Sequence, residues 1–382
     1  MVVIMVEAIL FDRRIDVEDN GDIKTFLNNQ LHSFDDEPSY ISADGTIKQW
    51  HHNGKLHRSS DLPASVVTKI YTTINNKKVT SVSERWYQEG HPKREENKPT
   101  RYQKDIYCNF YTPSEITYTK EISEWNNKED SRHRDGDKPA YVEEDFYYKG
   151  GKVTRRTVTK KWFKNNIAHR DGDKPAYSFI SKALHLNEGE KSFSREEMFY
   201  KNGQKHRDGD KPAVTFITFS NVKNKINEQQ KISYYKKDML HRDGDKPANI
   251  KVTIKNNIEH VEVEQYYLFG KEHREGDLPS TIRDEERVTI RYCKYGKLHR
   301  VNSPALIVVA RERFYFGFYE NDKDNKTCHD SFSQIILDRL KVLSPENFLH
   351  IKVGDYPVAQ LSSILFALSG ENYLSNILKN TN

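Results

Sequence analysis

Trp162-Phe163-Lys164-Asn165-Asn166-Ile167-Ala168-His169-Arg170-Asp171-Gly172-Asp173-Lys174-Pro175-Ala176 is one copy of a string that recurs along the chain. Its second half, HRDGDKPA, occurs four times verbatim, starting at His133, His169, His206 and His241. Variants start at His57, Lys93, His273 and His299, and a faint copy starts at His32. Self-similarity of this kind identifies a repeat architecture. Seven positions before the histidine position stands an aromatic residue: Trp50, Trp86, Trp162, Phe199, Tyr234, Tyr266 and Tyr292, with Trp125 displaced by one. Three positions before it stands Gly54, Gly90, Asp130, Asn166, Gly203, Asp238, Gly270 or Gly296. Gly, Asn and Asp are the residues that tolerate positive φ, so a tight turn is expected there. Nine of the 13 prolines are the motif proline. Proline is tolerated at a strand's first residue, where the missing N–H does least harm. Each unit therefore reads as a strand ending in an aromatic, a turn, His-Arg, an Asp/Gly loop, and a proline opening the next strand.

The segments between motif copies alternate as strands do. Asn249 to Ile254 has every second residue apolar, and His260 to Val263 answers it after Asn256-Asn257. Similar turns are expected at Asn75-Asn76, Gly150-Gly151, Glu188-Gly189 and Asp284-Glu285. The distance from motif proline to the next aromatic is 12 (Pro38 to Trp50), then 23, 26, 23, 24, 22, 19 and finally 13 (Pro279 to Tyr292). Strands of about nine residues, roughly 30 Å long, fit the middle copies, and about half that fits the ends. The expected fold is an all-β repeat array, an elongated twisted antiparallel meander of eight or nine hairpin units. The motif loops lie at one edge and the variable tips at the other. Three regions follow: an N-terminal strand or cap over residues 1–24, repeats over 25–310, and a mainly helical cap or oligomerisation domain over 311–382. In the last, 330–343 has helical spacing, and 358–368 and 372–378 read as shorter helices.

Composition agrees with a thin core. Apolar residues are 35% of 382, charged residues 31%, aromatics 12%, and mean hydropathy is −0.88. That is too polar for several thick globular cores and too aromatic for a disordered tail. A net charge of +5 from 61 basic and 56 acidic residues does not by itself indicate a nucleic-acid binder. Cys108, Cys293 and Cys328 are scattered, which indicates neither a zinc ribbon nor a disulfide framework. The start, MVVIMVEAILFD, lacks a basic region and is interrupted by Glu7, so it reads as a strand and not as a signal peptide. No apolar run approaches the length of a membrane span. The expected location is intracellular.

The motif side chains suggest structure before chemistry. Histidines two strands apart stand about 9.5 Å from each other, too far to share one metal ion with bonds of about 2 Å. The Asp-Gly-Asp loop lacks the ligand pattern of a calcium loop. Arginine follows the histidine position in all eight clear copies (Arg58, Arg94, Arg134, Arg170, Arg207, Arg242, Arg274, Arg300). An Arg–Asp ladder between neighbouring loops, with Asp137, Asp173, Asp210 and Asp245 as acceptors, is the expected use of both. The basic run Lys152 to Lys164 with Trp162 would suit phosphate and bases, but cross-strand pairing with Glu143, Glu144 and Asp145 explains it without a ligand. No catalytic signature is present. Cys328-His329 are adjacent in sequence, which does not place their side chains as a pair.

The string from Trp50 through Asn53-Gly54 and His57-Arg58 to Pro63-Ala64 resembles β-hairpin repeats of the MORN type. It is most similar to a variant with His-Arg-x4-Pro-Ala in giant DNA viruses and large phages. The resemblance covers about residues 25–310. These units are longer than standard MORN units and carry fewer glycines, so no lipid binding is carried over. The Asn, Lys, Ile and Tyr load also fits an AT-rich genome. The resemblance implies a single-layer scaffold without catalytic residues or cofactors, placed in the host cytoplasm or a virion. The expected function is a non-enzymatic scaffold for protein–protein interaction, a viral structural or host-interaction protein, with homo-oligomers as a further expectation. An anion binder for nucleic acid or phospholipid headgroups is weighed second, and a metal-binding array third. The candidate residues are the repeated ones: Trp50, His57, Arg58, Trp86, Arg94, Trp125, His133, Arg134, Asp137, Trp162, His169, Arg170, Asp173, His206, Arg207, Asp210, His241, Arg242, Asp245, His273, Arg274, His299 and Arg300.

Overall fold

The computed structural model describes residues 12–324, apart from 95–97, 110, 113, 185–190, 224, 286, 302–303 and 311–312. All regular elements among the described residues are strands, and each long strand pairs antiparallel with a sequence neighbour. The fold is an all-β antiparallel meander of hairpins. The chain divides into two compact units, one of Met1–Gln204 with Phe219–Asn224, the other of Lys205–Thr218 with Lys225–Asn382.

In the first unit the meander runs Ser65–Thr72, Lys77–Arg85, Arg101–Asn109, Ile116–Glu124, Tyr141–Lys149, Lys152–Lys161, Tyr177–Ala183 and Lys191–Met198. Shorter strands precede it, among them Arg13–Val17, Ile23–Leu27, Tyr40–Ile41 and Ile47–Gln49. In the second unit Lys225–Ser233, Asn249–Lys255, Ile258–Gln265, Thr281–Asp284, Val288–Arg291, Leu306–Ala310 and Arg313–Gly317 pair in that order. The expected turns at Asn75-Asn76, Gly150-Gly151, Asn256-Asn257 and Asp284-Glu285 all join paired strands. Glu188-Gly189 lies outside the described residues, as do the helical segments expected after 330.

The repeat contains more strand than its sequence suggests. After the aromatic, the chain makes a second, two-residue hairpin, such as His51–His52 with Lys55–Leu56 or Phe163–Lys164 with Ile167–Ala168. Both central residues of its turn have positive φ, as in Asn165 (51°) and Asn166 (63°) or Asn202 (50°) and Gly203 (82°). That is the type I′ geometry whose twist matches the flanking strands. The second central N–H bonds the carbonyl just before the motif histidine of the preceding copy: Gly54 to Leu31 (2.8 Å), Gly90 to Leu56 (2.9 Å), Gly270 to Leu240 (2.8 Å). At Asn166 and Asp238, which stand in place of Gly, Oδ1 accepts a further N–H from that same neighbour, from Arg132 and from Lys205 respectively. The short hairpins thus form their own hydrogen-bonded column.

The core is a seam between the two kinds of hairpin. Ala64, Ala140, Ala213, Ala248 and Ala305 are fully buried. Each fills the space left where one long strand begins beside the last residue of another. Trp50, Trp86, Trp162, Phe199, Tyr266 and Tyr292 are buried alongside them. In the second unit Val288, Ile290, Tyr292, Ala305 and Ile307 form one cluster, against which Leu298 and Tyr319 pack from the short hairpins. The hairpin pattern continues beyond residue 310. Leu306–Ala310 pairs with Arg313–Gly317, buried Phe318 takes the aromatic position, and Tyr319–Glu320 pairs with Lys323–Asp324 around Asn321 and Asp322, both with positive φ. His-Arg is Asn325-Lys326 in this copy.

Candidate functional site

In most copies the motif arginine does three things at once. Its guanidinium lies over the aromatic ring of its own copy at 3.6–3.9 Å: Arg58 on Trp50, Arg94 on Trp86, Arg134 on Trp125, Arg170 on Trp162, Arg242 on Tyr234, Arg274 on Tyr266 and Arg300 on Tyr292. One terminal nitrogen donates to the carbonyl of its own motif proline at 3.1–3.3 Å, Arg207 to Pro212 included. Its remaining edge grips the aspartate of the preceding copy: Arg58 on Asp36, Arg170 on Asp137, Arg242 on Asp210, Arg274 on Asp245 and Arg300 on Asp277, each through two bonds. Arg94 reaches Asp61 through Nε. The Arg–Asp ladder expected from the sequence is present. A planar five-donor fork is needed for this task, which lysine cannot supply. The motif lysine adds a further bond to the same carboxylate, as Lys98 does to Asp61, Lys174 to Asp137 and Lys246 to Asp210.

Most of the motif histidines are engaged as well. At His133, His169, His241 and His273, Nδ1 accepts the N–H of Asn165, Asn202, Phe269 and Tyr295 in the next hairpin, at 3.2–3.3 Å. Nε2 meets the acidic side chain two residues on, at 2.9–3.1 Å. His206 meets Asp208 in the same way, and His57 faces Ser59 and Glu89. The backbone N–H of His299 bonds the Tyr292 carbonyl. Phe269 and Tyr295 also stack on His241 and His273, both at 4.2 Å. A metal ion would have to displace these bonds at the rings that make them; Nδ1 of His206 and of His299 is buried and has no hydrogen-bond partner among the described residues. Among the described residues no cluster of three His, Cys, Asp or Glu side chains is placed to hold one.

The ladder makes the fold acid-sensitive. Hydrogen bonds from arginine hold Asp36, Asp137, Asp210 and Asp245 below the ordinary carboxylate value of 3.8. Asp61 is held down first by Lys98 and then by Arg94. Carboxyls lowered on folding contribute stability above their unfolded value and lose it as pH falls through the folded value. The urea midpoint is therefore expected to hold from neutral pH down to about 5 and to fall below about 4. A midpoint that rises over that acid range contradicts the ladder's role.

The opposite ends of the long strands carry a feature that the motif does not announce. Register places Tyr71, Val79, Tyr107, Tyr118 and Tyr147 side by side on one face of the first unit. Ring centroids are 4.9 Å apart for Tyr107 and Tyr118 and 5.0 Å for Tyr118 and Tyr147. Tyr107, Tyr118, Tyr147 and Lys77 line an open cleft of about 350 Å³. Burial, and then a hydrogen bond donated to Asp145, raise the Tyr118 phenol well above its ordinary value. A sequence signal for this ladder exists: Tyr71, Tyr107 and Tyr147 each stand eight residues after a motif proline.

The basic run Lys152 to Lys164 is neutralised only in part. Arg156 bonds Glu144, but Glu143 is taken by Lys120 and Tyr141, and Asp145 by Tyr118. Lys161 lies over the Tyr141 and Tyr177 rings. Among the described residues no helix is long and apolar enough to cross a membrane. No protein-family model, curated protein or solved structure matches this chain.

Proposed function

We propose that this chain is a non-enzymatic repeat scaffold of MORN-like type that mediates protein–protein interaction. The supporting observation is where the repeated side chains go. Aromatic, histidine, arginine and aspartate of the motif bond one another within and between copies. The tips, which vary in length and composition between copies, face solvent. Ile74 is 99% exposed, Tyr111 79% and Ile258 73%, each at a different tip. Exposed large apolar side chains at defined positions of a hydrogen-bonded array suit a partner-binding role.

The test is capture of partners from the native context by the full chain, beside Ile74→Asp and Tyr111→Asp variants. These side chains contribute little to the fold, so unchanged melting with reduced capture of the same partner is the expected result. Equal capture by parent and variants removes the tips from the reading, and failure of the full chain to retain any protein removes the reading itself.

A further inference from the structure

We infer that the tip end of the tyrosine face in the first unit binds single-stranded nucleic acid. The inference goes beyond the scaffold reading and rests on separate residues. Strand register fixes the platform: Tyr71 lies opposite Val79, Val79 opposite Tyr107, Tyr107 opposite Tyr118, and Tyr118 opposite Tyr147. From Tyr71 to Tyr147 this row crosses four strand spacings, about 19 Å at ~4.8 Å each. Arg155 continues it, directly opposite Tyr147. Tyr71 and Tyr147 are about half exposed, so ring surface is available to a ligand.

Charge on this face is divided by level. Near the motif end the cations are engaged: Arg101 and Arg132 on Glu124, Lys120 on Glu143, and Lys161 over two tyrosine rings. Near the tips they are not. Lys77, Lys149 and Arg155, at the row or beyond it, are exposed, and none has a carboxylate partner among the described residues; Lys69, also exposed and without such a partner, stands one level below the row, in register with Asp105, Lys120 and Asp145. Lys69, Lys77 and Lys149 each stand two residues from a row member, so strand alternation puts them on its face. Four unneutralised cations around a row of phenol rings favour a polyanion with flat apolar faces. A single strand offers both, because its bases can stack on tyrosine while its phosphates meet lysine and arginine. Duplex DNA hides its base faces, and an acidic peptide or a lipid headgroup has none.

Fluorescence anisotropy of the full chain with a labelled oligothymidylate of about 12 nucleotides tests this. Binding is expected, with log K falling against log salt at a slope near −3, about 0.7 for each of four cations. Lys77→Ala and Arg155→Ala are each expected to reduce that slope by about 0.7. Tyr107→Ala and Tyr147→Ala are expected to weaken binding about tenfold each without changing the slope. Should Tyr107→Ala unfold the chain by circular dichroism, the half-exposed Tyr147 is the deciding position. Three results overturn the inference: no binding at ~50 mM salt, tyrosine variants that bind as the parent does, or equal displacement of the oligonucleotide by duplex DNA, polyglutamate or phosphatidylserine vesicles.

Discussion

Replacing Trp86 by alanine is expected to lower the unfolding free energy by about 3–5 kcal/mol, the range for deleting a buried tryptophan. Trp86 is buried, and Arg94 lies 3.6 Å above its ring. Its Nε1 donates to the Asp61 carbonyl at 3.0 Å, and its backbone bonds Thr100 and Lys93. Alanine keeps the backbone bonds but opens a cavity and takes away the surface on which Arg94 rests. It also leaves the Asp61 carbonyl without its indole donor. Repeats depend on nearest-neighbour contacts, so the loss should appear as an early transition confined to the adjoining copies. Trp86→Phe should recover most of the effect, because Phe199 occupies the same position in another copy. Urea denaturation followed by circular dichroism measures this. A Trp86→Ala midpoint equal to the parent's contradicts the assignment of the seam as the core.

Arg274→Ala is expected to cost about 3 kcal/mol. The lost stack on Tyr266 accounts for ~1. The lost bond to the Pro279 carbonyl, whose residue is fully buried, accounts for about 1–2, and the half-exposed ion pair with Asp245 for less than ~1. The contacts are a ring at 3.8 Å, a carbonyl at 3.2 Å and two carboxylate oxygens at 2.6 and 2.8 Å. Arg274→Lys should recover only a minor share, since one ammonium cannot meet all of these at once. A double-mutant cycle with Asp245→Ala separates the ladder from the other two contacts. Full rescue by lysine would show that charge alone matters at this position and that the planar fork does not.

The reading of residue 310 as the end of the repeats shows how far a motif string carries. The copy around Phe318 keeps the aromatic and the Asn-Asp turn but has no His-Arg, and the string that marked the others is absent. Backbone geometry persists there because the turn and the buried ring are enough to direct it. The short hairpin was hidden for a related reason. Two residues on each side of a turn are too few for alternation to register as strand. In contrast, the Arg–Asp ladder was legible, because a three-residue spacing from arginine to aspartate recurs in most copies and forces the two into facing columns.

What the sequence determined by itself is therefore the local part: an all-β repeat, its turns, its long hairpins and the pairing of loops through arginine and aspartate. Period-two alternation and positive-φ residues act over a few positions and need no tertiary context. The tertiary structure decided which side chains share a level on the sheet. The tyrosine row joins residues 71, 107, 118 and 147 through strand register and a register shift after Tyr107, and the same register leaves Lys77, Lys149 and Arg155 without carboxylate partners among the described residues while Arg101 and Lys120, nearer the motif, are paired. A shift of one residue in any of those strands would send its row member to the other face, and only the folded sheet sets that register.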